Sequence, residues 1–330
     1  MIVFLLMSLL SGILEIGTLF IALDQGLPVW AALFLPAMYQ LGNFMHMFRV
    51  ITKKIYILGY IGLVIIVLNT WANSYILTCL EVFTVSVCLQ YARGNFKSTC
   101  PVWLKRSFRI AGFALSLLCV RFSEEVIGIC QIVSLLSVTV CSTVKKECKK
   151  TELCNKWIWV MVFHQMHYFV YIYALVFLLL RSGFEPVYVV AILCVSWVVY
   201  LLPQTMADKF NWKKRRLLFF ACHCFLLVVV FGMAIADVLN NSIVVYLSWI
   251  ITGLGGGSVF CIKDLTEQFK KTDMNFSENC GHILGVAVAI VIAVIFPNVS
   301  PATYLSASGF FIMLTLAAGL ISLKRRSYYD

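Results

Sequence analysis

The sequence predicts an all-α integral membrane protein: twelve transmembrane helices in two six-helix bundles, with both termini cytoplasmic. Three observations predict it. Of the 330 residues, 62% are hydrophobic and only 12% charged, whereas a soluble domain has about 45–50% apolar and about 25% charged residues. There is too little polar surface to coat a water-soluble body. Apolar runs long enough for a bilayer core, about 20 residues, recur along the whole chain. Finally, 24 of the 26 lysines and arginines fall in alternate connections and the C-terminal tail, the pattern of positive residues retained on the cytoplasmic side.

The runs, in order, are roughly 2–22, 29–48, 55–70, 74–92, 108–121, 125–143, 157–180, 186–203, 216–237, 242–260, 279–297 and 302–323. The first lacks a basic leader and a small-residue cleavage site, and its core is too long for an ordinary signal peptide, so it reads as a helix that stays. The fifth is short. The seventh, opening at Trp157, carries His164 and His167 where a lipid-facing helix would carry none. The connections are short, and only Arg121 and Arg181 lie in the odd-numbered ones. An error in the helix count would scramble this alternation from that point on; it holds to the end.

Lys145 to Lys156 is the longest hydrophilic stretch of the first half, with six runs on each side. The expected division is therefore 1–143 as an N-terminal bundle, 144–156 as a basic cytoplasmic linker and 157–330 as a C-terminal bundle. The net charge of +11 is explained by the same clustering. It serves topology and the lipid surface, not a nucleic-acid groove. The thirteen cysteines fall mostly inside apolar runs and read as small buried hydrophobes. Cys222-His223-Cys224 is the one tight cluster, with metal binding as its second reading.

Polar groups inside apolar helices mark the candidate site, because a charge at membrane depth is costly and faces a cavity or a partner. Two acids lie deep: Glu15 in the first helix and Glu81 in the fourth. Ser8, Ser11, Glu15 and Thr18 recur at spacings of 3, 4 and 3, so they share a face. Ser74, Thr78, Glu81 and Cys88 share one on the fourth. His164, His167, Tyr168 and Tyr171 share one on the seventh, and Ser242, Tyr246, Trp249 and Gly253 on the tenth. Glu15, Glu81 and the histidines can carry a coupled proton. Alternatively, the acids bind a cationic solute, with Tyr168, Tyr171 and Trp249 adding cation–π contact. The bland reading is that each is a satisfied interhelical hydrogen-bonder. His164 and His167, one helical turn apart, could ligate a metal, but the sequence offers no third ligand, so no metal is assigned and no cofactor is expected. Tyr39, Gln40 and Asn43 read as packing and gate contacts, and Gly253 to Gly257 as a close helix crossing. The sequons at Asn240 and Asn298 sit almost in the membrane and read as chance.

The loop after the eighth helix, Ala207-Asp208-Lys209-Phe210-Asn211-Trp212-Lys213-Lys214-Arg215-Arg216, resembles the signature of the major facilitator superfamily. That signature is an acid, a base, a short turn and several bases between the second and third helices of each half. Asn211 stands where a glycine is usual. The matching first-half loop, Gly42 to Lys54, keeps the glycine and the bases but has His46 where the acid is expected. In layout the resemblance covers the whole chain. It implies a secondary transporter that works by alternating access, with helices one, four, seven and ten around a central cavity. Asp208, Lys209 and Lys213 would form a cytoplasmic gate. Gly253-Leu254-Gly255-Gly256-Gly257 and the charged loop after it are faintly similar to battenin-like and equilibrative nucleoside transporters. The fifth-helix motif of proton-coupled drug exporters is absent from Ile110 to Arg121, which argues against a multidrug antiporter.

The expected function is transport of a small organic solute, with protons as the coupling ion, by a monomer in the plasma membrane or an organelle membrane. A non-transporting receptor or scaffold on the same fold is the alternative. The chain has no HExxH, no GxSxG and no paired intramembrane aspartates, and a membrane-embedded enzyme is not expected.

Overall fold

The computed structural model describes residues 2–45, 55–95, 102–143, 157–207, 209–257 and 271–326. His46 and Asp208 lie outside them. The described chain is helical throughout. It comprises α1 (Ile2–Asp24), α2 (Val29–Met45), α3 (Ile55–Ala72), α4 (Tyr75–Asn95), α5 (Val102–Leu115, continued by a 3-10 turn to Val120) and α6 (Ser123–Thr143). There follow α7 (Trp159–Phe169), α8 (Ile172–Arg181), α9 (Pro186–Ala207), α10 (Trp212–Val238), α11 (Ser242–Gly257), α12 (Lys271–Ile295) and α13 (Pro301–Arg326). Each expected run has its helix, the seventh being divided into α7 and α8.

Among the described residues, eight segments are long and apolar enough to cross a membrane: α1, α3, α4, α7 with α8, α9, α10, α12 and α13. The chain is a multi-pass membrane protein. Burial sorts these segments. The apolar window of α1 is 78% buried within the protein and that of α7–α8 is 83% buried, against 17% for α3. The first two are central, whereas α3 presents Tyr60, Val64, Val67 and Trp71 outward, as a lipid-facing helix does.

Three helices begin a turn or more before their apolar runs. α5 starts at Val102, α10 at Trp212 and α12 at Lys271. Hydropathy marks where a helix meets hydrocarbon, not where its hydrogen bonding begins, and a polar turn outside the core is invisible to it. The early turns have uses. Ser277, on α12, accepts a hydrogen bond from the backbone N–H of Ile158 at 3.0 Å. It thereby satisfies an orphan donor at the start of α7. At the start of α10, Asn211 caps the helix, its side chain accepting from Lys214 N–H at 3.1 Å. That role suits asparagine in place of the usual glycine.

The chain divides into two compact units, residues 1–151 with 185–190, and residues 152–184 with 191–330. In the first, α1 and α5 cross where glycine meets glycine. A Cβ on Gly12 would lie 2.3 Å from the Arg109 carbonyl oxygen, and one on Gly112 would lie 2.2 Å from that of Leu9. In the second, Gly281 and Gly285 form a four-residue repeat on α12 that packs on α7. Added Cβ atoms there would meet Val162 O at 2.6 Å and Met166 O at 2.9 Å. Small residues at this spacing let helix backbones approach. Gly253 behaves as expected: its Cβ would meet Ser196 O on α9 at 2.3 Å.

Candidate functional site

The α1–α5 crossing sets the first polar cluster. Gly12 and Gly112 bring the backbones together, so Arg109, one turn before Gly112, reaches Glu15, one turn after Gly12. The two form an ion pair inside unit one, Glu15 being 3% exposed. Gln40 of α2 donates to the same carboxylate at 3.4 Å. Beside it, Ser11 and Tyr39 share a hydroxyl–hydroxyl bond of 2.6 Å. Half-buried Arg93 of α4 stands within electrostatic reach of Glu15, Tyr39 and Arg109. One expectation changes here: Arg109 does not sit in a loop but lies within α5. Gln40 and Tyr39, expected as contacts between helices, join the network around the acid.

Glu81 sits apart. On α4 and 6% exposed, it accepts from Asn69 Nδ2 of α3 at 2.9 Å. Gln131 of α6 bonds the same carboxylate. Asn69 also donates to Thr78 at 3.0 Å. The two deep acids therefore occupy separate clusters with different partners: a cation and an amide for Glu15, two amides for Glu81.

In unit two the histidines turn toward the ninth span. His164 and His167 on α7 meet His223 on α10, and all three are at most 3% exposed. His164 Nδ1 and His223 Nε2 are 2.9 Å apart, and His223 Nδ1 lies 2.8 Å from the Phe219 carbonyl. That carbonyl can only accept, so His223 carries its proton on Nδ1, and its Nε2 accepts from His164. One ligating atom from each of the three rings lies within 4.8 Å of the others. The third histidine of the group is thus the middle residue of the Cys-His-Cys run. Its two cysteines stay outside the group, Cys222 half-buried and Cys224 exposed. Neighbours on a helix are about 100° apart and do not share a face.

The aromatic part of the expected site separates from the histidines at the α7–α8 break. Tyr171 donates to Thr252 of α11 at 3.4 Å, and Thr252 to the Trp249 carbonyl at 2.6 Å. Tyr171 and Trp249 are almost wholly buried. Tyr168 is half-buried, with its ring centroid 5.8 Å from that of Tyr171 and 6.5 Å from that of Trp197. Tyr246 packs on Phe184 at 5.1 Å. Of the gate residues, Lys209 and Lys213 are exposed, and Asp208 lies outside the described residues. Gln165 and His282, not singled out in the sequence, pair at 3.1 Å between α7 and α12.

No protein-family model matches the chain, and no curated protein matches it in sequence. Solved structures do. The nucleoside transporter NupG is similar at a TM-score of 0.62, with 12% identity over 97% of each chain. A structure described as a bacterial metal transporter gives 0.60, with 11% identity over 97% of each chain. The inward-open xylose transporter XylE from E. coli gives 0.61, with 12% identity over 98% of this chain and 95% of that one. At such identities the likeness is one of fold. The fold is of the major facilitator type, as the basic loop after the eighth span implies.

Proposed function

We propose that the protein is a secondary active transporter that moves a small organic solute across a membrane by alternating access, coupled to protons. The observation that carries this is the burial of ionisable groups within apolar helices: Glu15 on Arg109 in one cluster and Glu81 among amides in another. A transmembrane ion pair is expensive to keep and serves best where it opens and closes. Support also comes from the fold, shared with structures described as transporters of nucleosides, xylose and metal. None of these is an enzyme by its description, and no enzymatic role is proposed.

The two carboxylates divide the work. Glu15 has a cation beside it, so protonating it breaks a salt bridge and releases the Arg109 side chain. Glu81 has amide partners, so it can take up or release a proton with no ion pair to break. The moving bodies are residues 1–143 and 157–330, joined by 144–156, with twelve spans and both termini cytoplasmic. Tyr168, Tyr171, Tyr246 and Trp249 supply the aromatic groups of the solute site. His164 and His167 supply binding or proton-carrying groups, and Asp208, Lys209 and Lys213 form the cytoplasmic gate. The protein acts as a monomer, in the plasma membrane or an organelle membrane.

The test is uptake into proteoliposomes under an imposed pH gradient, with amino acids, nucleosides, sugars, polyamines and peptides as candidate solutes. Transport of one of them should respond to the gradient in the wild type. The coupling assignment fails if Glu15→Gln and Glu81→Gln both keep the wild-type rate and pH profile. The transporter reading fails if a solute that raises the melting temperature is never carried across.

A further inference from the structure

We propose that His164, His167 and His223 form a binding site for one divalent ion of the borderline first-row class, zinc, cobalt or nickel. The geometry argues for a ligand and not for packing alone. His164 and His223 satisfy each other, but neither ring nitrogen of His167 has a hydrogen-bond partner, although the residue is only 1% exposed. An imidazole buried with both nitrogens idle is costly to leave so, and it stands edge-on to His164, with ring centroids 4.9 Å apart and planes at 83°. Its centroid lies 6.2 Å from that of His223, and it is bonded to neither member of the pair.

The donor set selects the ion. Three imidazoles and no carboxylate suit zinc, cobalt, nickel or copper and repel magnesium and calcium, which take oxygen ligands. Zinc–nitrogen bonds of about 2.0–2.1 Å place tetrahedral ligands roughly 3.3 Å apart. The ligating atoms already lie within 4.8 Å of one another, so the set closes with the helices in place when His167 rotates and the ion replaces the His164–His223 hydrogen bond, the His164 proton passing from Nδ1 to Nε2. Phe219 O holds the proton on His223 Nδ1, so the lone pair of His223 is on Nε2, facing the other rings, the outer-shell arrangement that metal-bound histidines use. Three neutral ligands leave the ion its full charge, so the fourth position takes an anion such as hydroxide or chloride.

The test reads binding and needs no flux, so it stands or falls separately from the transport reading. Full-length, tag-free protein in detergent is stripped with a chelator and titrated with Co²⁺ and then Zn²⁺. One ion per chain is expected, with the optical spectrum of four-coordinate Co²⁺, displaced by Zn²⁺ and not by Mg²⁺. His167→Asn and His223→Gln should each weaken binding about tenfold or more, whereas His282→Ala, on α12, should not. At equal concentration, Zn²⁺ should raise the melting temperature of the wild type by more than that of folded His167→Asn. The site is overturned by a wild type that binds no stoichiometric ion and shows no Zn²⁺-dependent rise, or by binding that His167→Asn does not weaken.

Discussion

At the scale of single residues, Glu15 and Arg109 form an interdependent pair. Removing one partner of a buried ion pair leaves a charge with no compensation, which costs about 3–5 kcal/mol. Arg109 has a side chain 23% exposed, which puts the expected loss for Arg109→Ala at the low end, about 3 kcal/mol. The double variant Glu15→Gln/Arg109→Gln should recover most of it, because amides can hydrogen-bond each other without charge. Thermal unfolding in detergent checks both. Glu81→Gln is expected to behave differently. Its partners are Asn69 and Gln131, which can bond a neutral amide, so the melting temperature should stay near wild type while the pH dependence of transport flattens. The two acids were legible in the sequence because a carboxylate in an apolar run has no ordinary reason to be there. Their partners were not. Arg109 stands at the edge of its run and counts there as a loop charge, and Asn69 and Gln131 are neutral groups in helices that otherwise read as apolar. His223 was legible as the middle of the Cys-His-Cys run, but its meeting with His164, far away along the chain, was not.

At the scale of helices, close crossings hold the clusters in place. The glycine contacts leave no room for a side chain, so Gly112→Leu should force α1 and α5 apart and separate Arg109 from Glu15. The expected cost is about 3 kcal/mol, together with altered transport. Gly128→Leu on α6 is the control: a Cβ at Gly128 meets nothing within 4 Å, so the melting temperature should hold. Fluorescence-detected size exclusion after heating reads both. The seventh span shows what hydropathy cannot see. A continuous run becomes α7 and α8, with Tyr171 N–H reaching Tyr168 O at a long 3.4 Å. No proline or glycine marks the break, and the residues around it are apolar on either side. Its consequence is that His164 and His167 turn to α10 while Tyr171 turns to α11, although all stand on one nominal face.

At the scale of the whole molecule, the positive residues predict orientation. In a cysteine-free background, a cysteine at exposed Gln25 or Gly183 should react with an impermeant maleimide applied outside. One at Lys209 should react only after permeabilisation. Labelling of Lys209→Cys from outside, with protection at Gln25, would invert the topology. By itself the sequence determined that the chain is helical, spans a membrane repeatedly, and keeps Glu15, Glu81, His164 and His167 inside it. These follow from local quantities: how apolar a run is, how long, and which charges interrupt it. Only the tertiary structure decided which groups meet. Arg109 on Glu15, Asn69 and Gln131 on Glu81, and His223 on the α7 histidines are contacts between helices distant along the chain. They depend on where glycines let backbones approach and on which way each helix is turned, and neither is written in the hydropathy of a single segment.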